Sequence, residues 1–186
     1  MDNPNPATLL TAIMFVTILA IAIGNLLMAC AEVTGGLRRP PPSRLHLSWM
    51  VLLLLAMLNL FWETTVILDV PDWTFLDFLY VILGPMFLLF ASSVIIAPAT
   101  AESASPEEHY FGLSGHFFTM LAVHEAWLVG LDVRFDSLGL DSLISLVLLV
   151  LFALLALSKN HRIHIAGNVI AWAGFIAPLP LQLVGT

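Results

Sequence analysis

The sequence predicts an all-α fold, a polytopic membrane helix bundle with six transmembrane helices, and three observations support it. Only 10% of the 186 residues are charged, whereas about 25% are charged in a typical soluble domain. Hydrophobic residues make up 60% of the chain. Six apolar runs are each long enough for a helix to cross the bilayer, which takes about 20 residues.

Short connections rich in proline, glycine and charged residues separate these runs. They leave no room for a soluble domain, so the whole chain, residues 1–186, is predicted to be a single transmembrane domain. In the third run, Gly84-Pro85 predicts a bend, because proline removes one hydrogen bond of the helix. The helices are predicted at about 7–31, 45–68, 73–97, 110–130, 138–158 and 163–183.

The basic residues predict the orientation of the bundle. Three of the six Lys and Arg residues lie between the first and second helices, and two lie between the fifth and sixth. Cytoplasmic loops carry an excess of Lys and Arg. Both loops are therefore predicted to be cytoplasmic, with both termini on the non-cytoplasmic side. The residues concerned are Arg38, Arg39, Arg44, Lys159 and Arg162, and Arg134 is the exception.

The composition also excludes several functions. Six basic residues are too few for a phosphate-binding surface, so no nucleic acid is expected as a partner. The chain has no Walker A loop, dinucleotide fingerprint, GxSxG or HExxH motif, so no catalytic residue is predicted. No cofactor is predicted either. Retinal needs a lysine within the bundle, and the only lysine, Lys159, lies in a loop. Haem needs paired histidines on facing helices, but His116 and His124 share one helix.

Ionisable residues inside apolar runs are candidate functional residues, because burying them in hydrocarbon is costly. An outer polar cluster is predicted from Asn59 and Glu63 on the second helix and His124 and Glu125 on the fourth, with Ser145 on the fifth at similar depth. A carboxyl group beside an imidazole suits proton transfer. The same groups are also typical of interhelical hydrogen bonds worth about 0.6 kcal/mol each, and both interpretations stay open.

An inner polar layer is predicted from Asn25, His116 and Asn168, which lie at similar depths near the predicted cytoplasmic side. These side chains would either line a polar path or hydrogen-bond neighbouring helices. A further group consists of His46, His109 and His164. They open the second, fourth and sixth helices on the same predicted side, where three imidazoles would suit zinc. No metal site is predicted, however, because no two of them share a helix at the spacing of a metal motif.

A series of aromatic and turn residues extends over most of the chain. It comprises Phe61-Trp62, Asp72-Trp73, Phe75-Leu76, Gly84-Pro85, Pro98, Tyr110-Phe111, Phe117-Phe118 and the segment from Ser158 through Arg162 to His164. In this order these residues resemble a family of small polytopic bacterial membrane proteins of uncharacterised activity. The resemblance implies a multi-pass protein of the bacterial inner (plasma) membrane and implies no activity.

Two functions fit these observations. The sequence favours a non-enzymatic subunit or self-associating component of a membrane complex, because the chain is small and its chemistry is sparse. Its partners would be the lipid bilayer and other membrane helices or copies of itself. The alternative is a proton-linked transporter or ion channel that uses the outer polar cluster. A metal-responsive protein that uses the three histidines is a further alternative.

Overall fold

The computed structural model describes residues 5–37, 41–64, 73–98, 105–135 and 138–177. These residues form six α-helices and no strand, which confirms the all-α prediction for this part of the chain. The helices are α1 (Pro6–Thr34), α2 (Arg44–Glu63), α3 (Phe75–Ile95), α4 (Pro106–Phe135), α5 (Leu140–Leu157) and α6 (His161–Ile176).

The helix ends differ from the predicted ones because polar capping residues set them. Ser43, Ser105 and Asn160 each accept a hydrogen bond from a backbone N–H in the first turn of α2, α4 and α6. The first turn of α4 contains Glu107 and Glu108 and its last turn contains Arg134. The apolar pattern leaves these charged residues out, so α4 is longer at both ends than predicted. The predicted ends of the second and sixth helices, residues 65–68 and 178–183, lie outside the described residues.

Four of the described helices, α1, α2, α3 and α5, are long and apolar enough to cross a membrane. The other two differ for separate reasons. The 30 residues of α4 include two histidines and a glutamate in its middle and charged residues at both ends. The described part of α6 has only 16 residues. The structure therefore shows four candidate crossings where the sequence predicts six.

Five helices form a closed ring. In ring order α2 contacts α3, α3 contacts α4, α4 contacts α5, α5 contacts α6, and α6 returns to α2. α1 lies outside this ring and packs against α3 and α2. Ring helices that follow each other along the chain run antiparallel, as the two ends of α4 show, whereas α6 and α2 run parallel. Arg134 forms an ion pair of 2.9 Å with Asp77 at the start of α3, and His109 reaches the carbonyl of Ala97 beyond the end of α3.

Two glycines allow α3 and α4 to approach closely. The Trp127 indole of α4 donates a hydrogen bond of 2.7 Å to the carbonyl of Tyr80, and a methyl group on Gly84 of α3 would overlap the indole ring. In return the Tyr80 hydroxyl donates to the carbonyl of Trp127 at 3.3 Å, and a methyl group on Gly130 of α4 would overlap that hydroxyl. Each helix thus supplies one aromatic side chain and one glycine.

Replacing either interface glycine with alanine should destabilise the bundle. Gly84→Ala is expected to lower the stability by about 1–3 kcal/mol, as overpacking does in a filled interior, because the Trp127 ring is enclosed and has little room to move. Gly130→Ala should have a smaller effect, because the Tyr80 hydroxyl is the end of a half-buried side chain. The protein is heated in mild detergent, and the fraction that stays folded at each temperature is measured by size-exclusion chromatography for both variants.

Gly24→Ala and Gly112→Ala are the matched controls. No atom lies within 4 Å of a methyl group built at either residue, and alanine is the better helix former by about 1 kcal/mol. Both control variants should be as stable as the wild type or more so. Equal losses in all four variants would contradict the proposed role of Gly84 and Gly130 in the α3–α4 contact.

Candidate functional site

The ring of α2 to α6 surrounds a cavity of about 200 Å³. All five ring helices contribute side chains to its wall, and α1 contributes none among the described residues. Most of these side chains are leucine or aromatic. The cavity is thus a mainly apolar space that the ring helices line and that is partly open to the outside.

Aromatic rings close one end of the cavity. Trp49 of α2 extends into the ring and packs edge-on against Phe118 of α4, with 4.9 Å between ring centroids. It also contacts Phe117 of α4 and Phe152 of α5 at 6.3 Å and 6.1 Å. All four side chains are buried. We call them the aromatic floor, and they lie toward the end of the bundle where α2, α4 and α6 begin.

Four polar residues line the other half of the cavity. They lie six to ten residues along their helices from the aromatic floor, which corresponds to about 9–15 Å at the helical rise. Three of them belong to the predicted outer cluster, and the fourth is the serine expected at the same depth. We call Asn59, His124, Glu125 and Ser145 the polar rim.

Glu125 and Ser145 join α4 and α5 at the polar rim. The Ser145 hydroxyl is hydrogen-bonded to the carboxyl group of Glu125, and both residues are 9% exposed. A buried carboxylate is costly unless it is hydrogen-bonded or paired with a cation. The hydroxyl supplies one such bond, and the cavity leaves space beside Glu125 for a second partner.

His124 is held by the backbone of α3. Its Nδ1 lies 3.2 Å from the carbonyl oxygen of Gly84, and its ring stacks on Trp127 with 5.3 Å between centroids. A carbonyl only accepts hydrogen bonds, so Nδ1 carries a hydrogen and donates it. The Nε2 atom of the neutral imidazole is then an acceptor. Gly84 thus has two roles, because its missing side chain admits Trp127 and its carbonyl orients His124.

The structure brings together three of the four residues of the predicted outer cluster. Asn59, His124 and Glu125 line the same cavity. The side chain of His124 contacts α3, whereas that of Glu125 contacts α5. Glu63 is the last residue of α2, and its side chain lies outside the described part. The function of this cluster in proton transfer stays a prediction.

The predicted inner layer does not form a cluster. His116 lies on an exposed face of α4. Asn25 lines a cleft between the end of α1 and the end of α3, beside Glu32. Asn168 of α6 is buried and accepts a hydrogen bond of 2.8 Å from Ser48 of α2. Matched depth therefore failed as a guide here, because the three side chains point in different directions around the bundle.

Two of the three predicted metal-candidate histidines bind the end of α3. The Nε2 atom of His46 lies 2.7 Å from the carbonyl of Ile95, and that of His109 lies 3.1 Å from the carbonyl of Ala97. The last carbonyls of a helix have no partner within the helix. Both imidazoles therefore satisfy carbonyl groups that the end of α3 leaves open.

His164 does the same for α5. Its Nε2 atom lies 3.0 Å from the carbonyl of Ser158, the residue that ends α5, and its Nδ1 accepts a hydrogen bond of 2.8 Å from the Tyr110 hydroxyl. The residue is fully buried. Both ring nitrogens are thus occupied, and no group of three His, Cys, Asp or Glu side chains suited to a metal occurs among the described residues.

Sequence reasoning missed the aromatic floor. Its only signal is the Phe117-Phe118 pair, which the apolar pattern treats as ordinary helix core.

No family model, no curated protein and no solved structure matches this chain. The site is therefore interpreted from its own residues.

His164→Phe should destabilise the protein, because it removes the bonds to Tyr110 and Ser158 while keeping an aromatic ring of similar size. We expect a loss of about 1–3 kcal/mol, as when a buried donor or acceptor loses its partner. His116→Phe is the matched control on an exposed face and should have little effect. Thermal unfolding in detergent with and without EDTA measures both changes. A large EDTA-dependent shift in the wild type would contradict the assignment of these histidines to helix ends.

Proposed function

We propose that this protein is a proton-linked carrier, in which all six helices cross the membrane. The observation that supports it is the position of Asn59, His124, Glu125 and Ser145 around one cavity inside the helix ring. Ionisable groups within membrane bundles face the interior or a water-filled cavity and mark proton or substrate pathways. A carboxyl group and an imidazole in contact with a cavity can exchange protons with whatever enters it.

The packing of α4 supports its crossing of the membrane despite its polar residues. At one end α4 contacts the starts of both neighbours, through Arg134 with Asp77 of α3 and Asp132 with Ser142 of α5. At the other end His109 reaches the end of α3. α4 thus runs alongside α3 and α5, which are both apolar enough to span. These neighbours cover His124 and Glu125, so α4 needs less hydropathy of its own.

We further propose that both termini face the non-cytoplasmic side of a bacterial inner membrane. Arg44, Lys159 and Arg162 belong to the starts of α2 and α6 and to the connection between α5 and α6. Because α2, α4 and α6 run in the same direction, these residues share one end of the bundle. Lys159 binds the Phe111 carbonyl near the start of α4, which ties the end of α5 to the same end. That end is the cytoplasmic one by the excess of basic residues.

The subunit hypothesis stays a prediction. α1 and α5 carry many exposed large apolar side chains, among them Leu10, Met28, Leu143 and Leu154. Lipid covers such surfaces as well as a partner helix does. The exposed faces therefore support membrane insertion and favour no particular partner, whereas the polar rim is a specific feature that the carrier hypothesis uses.

The carrier hypothesis predicts that Glu125 is needed for coupled flux. Purified wild-type protein, Glu125→Gln and Glu107→Gln are reconstituted into liposomes with an internal pH dye. Decay of an imposed pH gradient is then recorded with lipophilic cations, neutral solutes or anions added outside. At least one solute should accelerate decay with the wild type and with Glu107→Gln, whose carboxyl group is exposed at the start of the same helix, but not with Glu125→Gln. Equal decay in all samples and in empty liposomes would reject the proposal.

The six-crossing arrangement predicts which exposed residues share a side. In a Cys30→Ala background, single cysteines at Leu37, Glu107 and His161 should react with an impermeant maleimide from the cytoplasmic side. A cysteine at Leu138 should react from the opposite side. All four residues are exposed and none is Lys or Arg. The substitutions therefore keep every Lys and Arg residue that determines the orientation in the membrane. Labelling of Glu107 and Leu138 from the same side would show that α4 does not cross.

A further inference from the structure

We propose that the cavity binds small lipophilic amines, with the amine at the polar rim and the apolar body toward the aromatic floor. This inference rests on the proposed carrier function and names its substrate class. Three features of the cavity carry it, namely its size, the chemistry of its apolar wall and the charge of its polar groups.

The size of the cavity fits a single ring or a short branched chain. An engineered apolar cavity of about 150 Å³ is large enough to hold benzene, and this one measures about 200 Å³. The additional volume suits a substituent of one or two heavy atoms. Phospholipids, peptides and nucleotides are too large for this space.

The wall favours a ligand with an apolar or aromatic body. Trp49, Phe117, Phe152 and Phe175 line the cavity together with several leucines. Aromatic faces attract ammonium groups as well as apolar groups, and the attraction grows when the cation is away from water. The wall therefore tolerates a positive charge on the ligand, whereas none of its described side chains is a cation that could pair with a negative one.

The polar rim presents acceptors for N–H donors. Among the described residues no Lys or Arg lines the cavity, and Glu125 is the only one of them that lines it and can carry a negative charge. The Nδ1 of His124 is occupied by Gly84, which leaves Nε2 of the neutral ring as an acceptor. A carboxylate and an imidazole nitrogen together suit an ammonium group, which has donors and no acceptor. A carboxylate ligand would meet the like charge of Glu125.

This arrangement links amine binding to a proton. When the carboxyl group of Glu125 is protonated, an entering ammonium ion takes the place of that proton. The ammonium ion pairs with the carboxylate, and the displaced proton passes to water, so charge and atoms balance. Because Glu125 holds either the proton or the ammonium ion, the two are exchanged rather than carried together.

Binding in detergent tests the inference without requiring transport. Purified protein is titrated calorimetrically with benzylamine, benzyl alcohol, toluene and benzoate, which share a ring and differ in the head group. Benzylamine should bind about tenfold more tightly than benzyl alcohol, the ratio expected for one charge-assisted hydrogen bond, and benzoate should not bind. In weakly buffered solution a pH dye should report release of up to one proton per bound benzylammonium ion.

Three variants locate the site. Glu125→Gln should abolish the preference for the amine and the proton release but keep the binding of benzyl alcohol, which shows that the cavity is intact. Glu107→Gln should behave as the wild type. Ala56→Phe adds a ring at a residue that lines the cavity and should weaken all binding.

The outcomes separate this inference from the proposed function. Equal binding of benzylamine and benzyl alcohol, retention of the preference in Glu125→Gln, or no binding of any probe would overturn the amine site. Selective amine binding without solute-dependent flux in liposomes would support the amine site and reject the carrier. Flux that depends on Glu125 but is driven only by neutral solutes would support the carrier and reject the amine site.

Discussion

The contact between α3 and α4 determines where the chemistry of this protein lies. Gly84 has no side chain, so the Trp127 ring packs directly on the backbone of α3. At this distance the carbonyl of Gly84 is within reach of His124. The neighbouring residue on α4, Glu125, is then directed toward α5, where Ser145 meets it. A wider separation of α3 and α4 would remove the hydrogen bond that orients the imidazole of His124.

Buried polar groups also need hydrogen-bond partners at the end of the bundle where α3 and α5 stop. Helix ends expose carbonyl groups that water normally satisfies, but the ends of α3 and α5 are covered by neighbouring helices. His46, His109 and His164 supply the missing donors from the starts of α2, α4 and α6. Histidine suits this position because its ring is flat and apolar on its faces yet has a polar nitrogen at its edge. The three residues thus connect antiparallel neighbours where the chain changes direction.

The sequence predicts the larger features well and the pairwise contacts poorly. Apolar runs predict the number of helices, and shared depth predicts that Asn59, His124 and Glu125 lie at one level, because both depend only on the helical rise. Depth does not define the direction of a side chain around the helix axis, which is why Asn25, His116 and Asn168 do not meet. The histidine–carbonyl bonds were also beyond prediction, because they involve backbone groups that any residue carries.

The number of helices around the cavity limits how access to it can change. α2, α4 and α6 run one way and α3 and α5 the other, so the ring cannot be divided into two equivalent halves. Transporters built from inverted repeats open alternately by exchanging the conformations of matching halves. An odd-membered ring has no such symmetry to exploit. In the proposed carrier a change of access through one helix is therefore the simpler route, and α3, which contains Pro85 next to the carbonyl that holds His124, is the helix whose bending would alter the cavity directly.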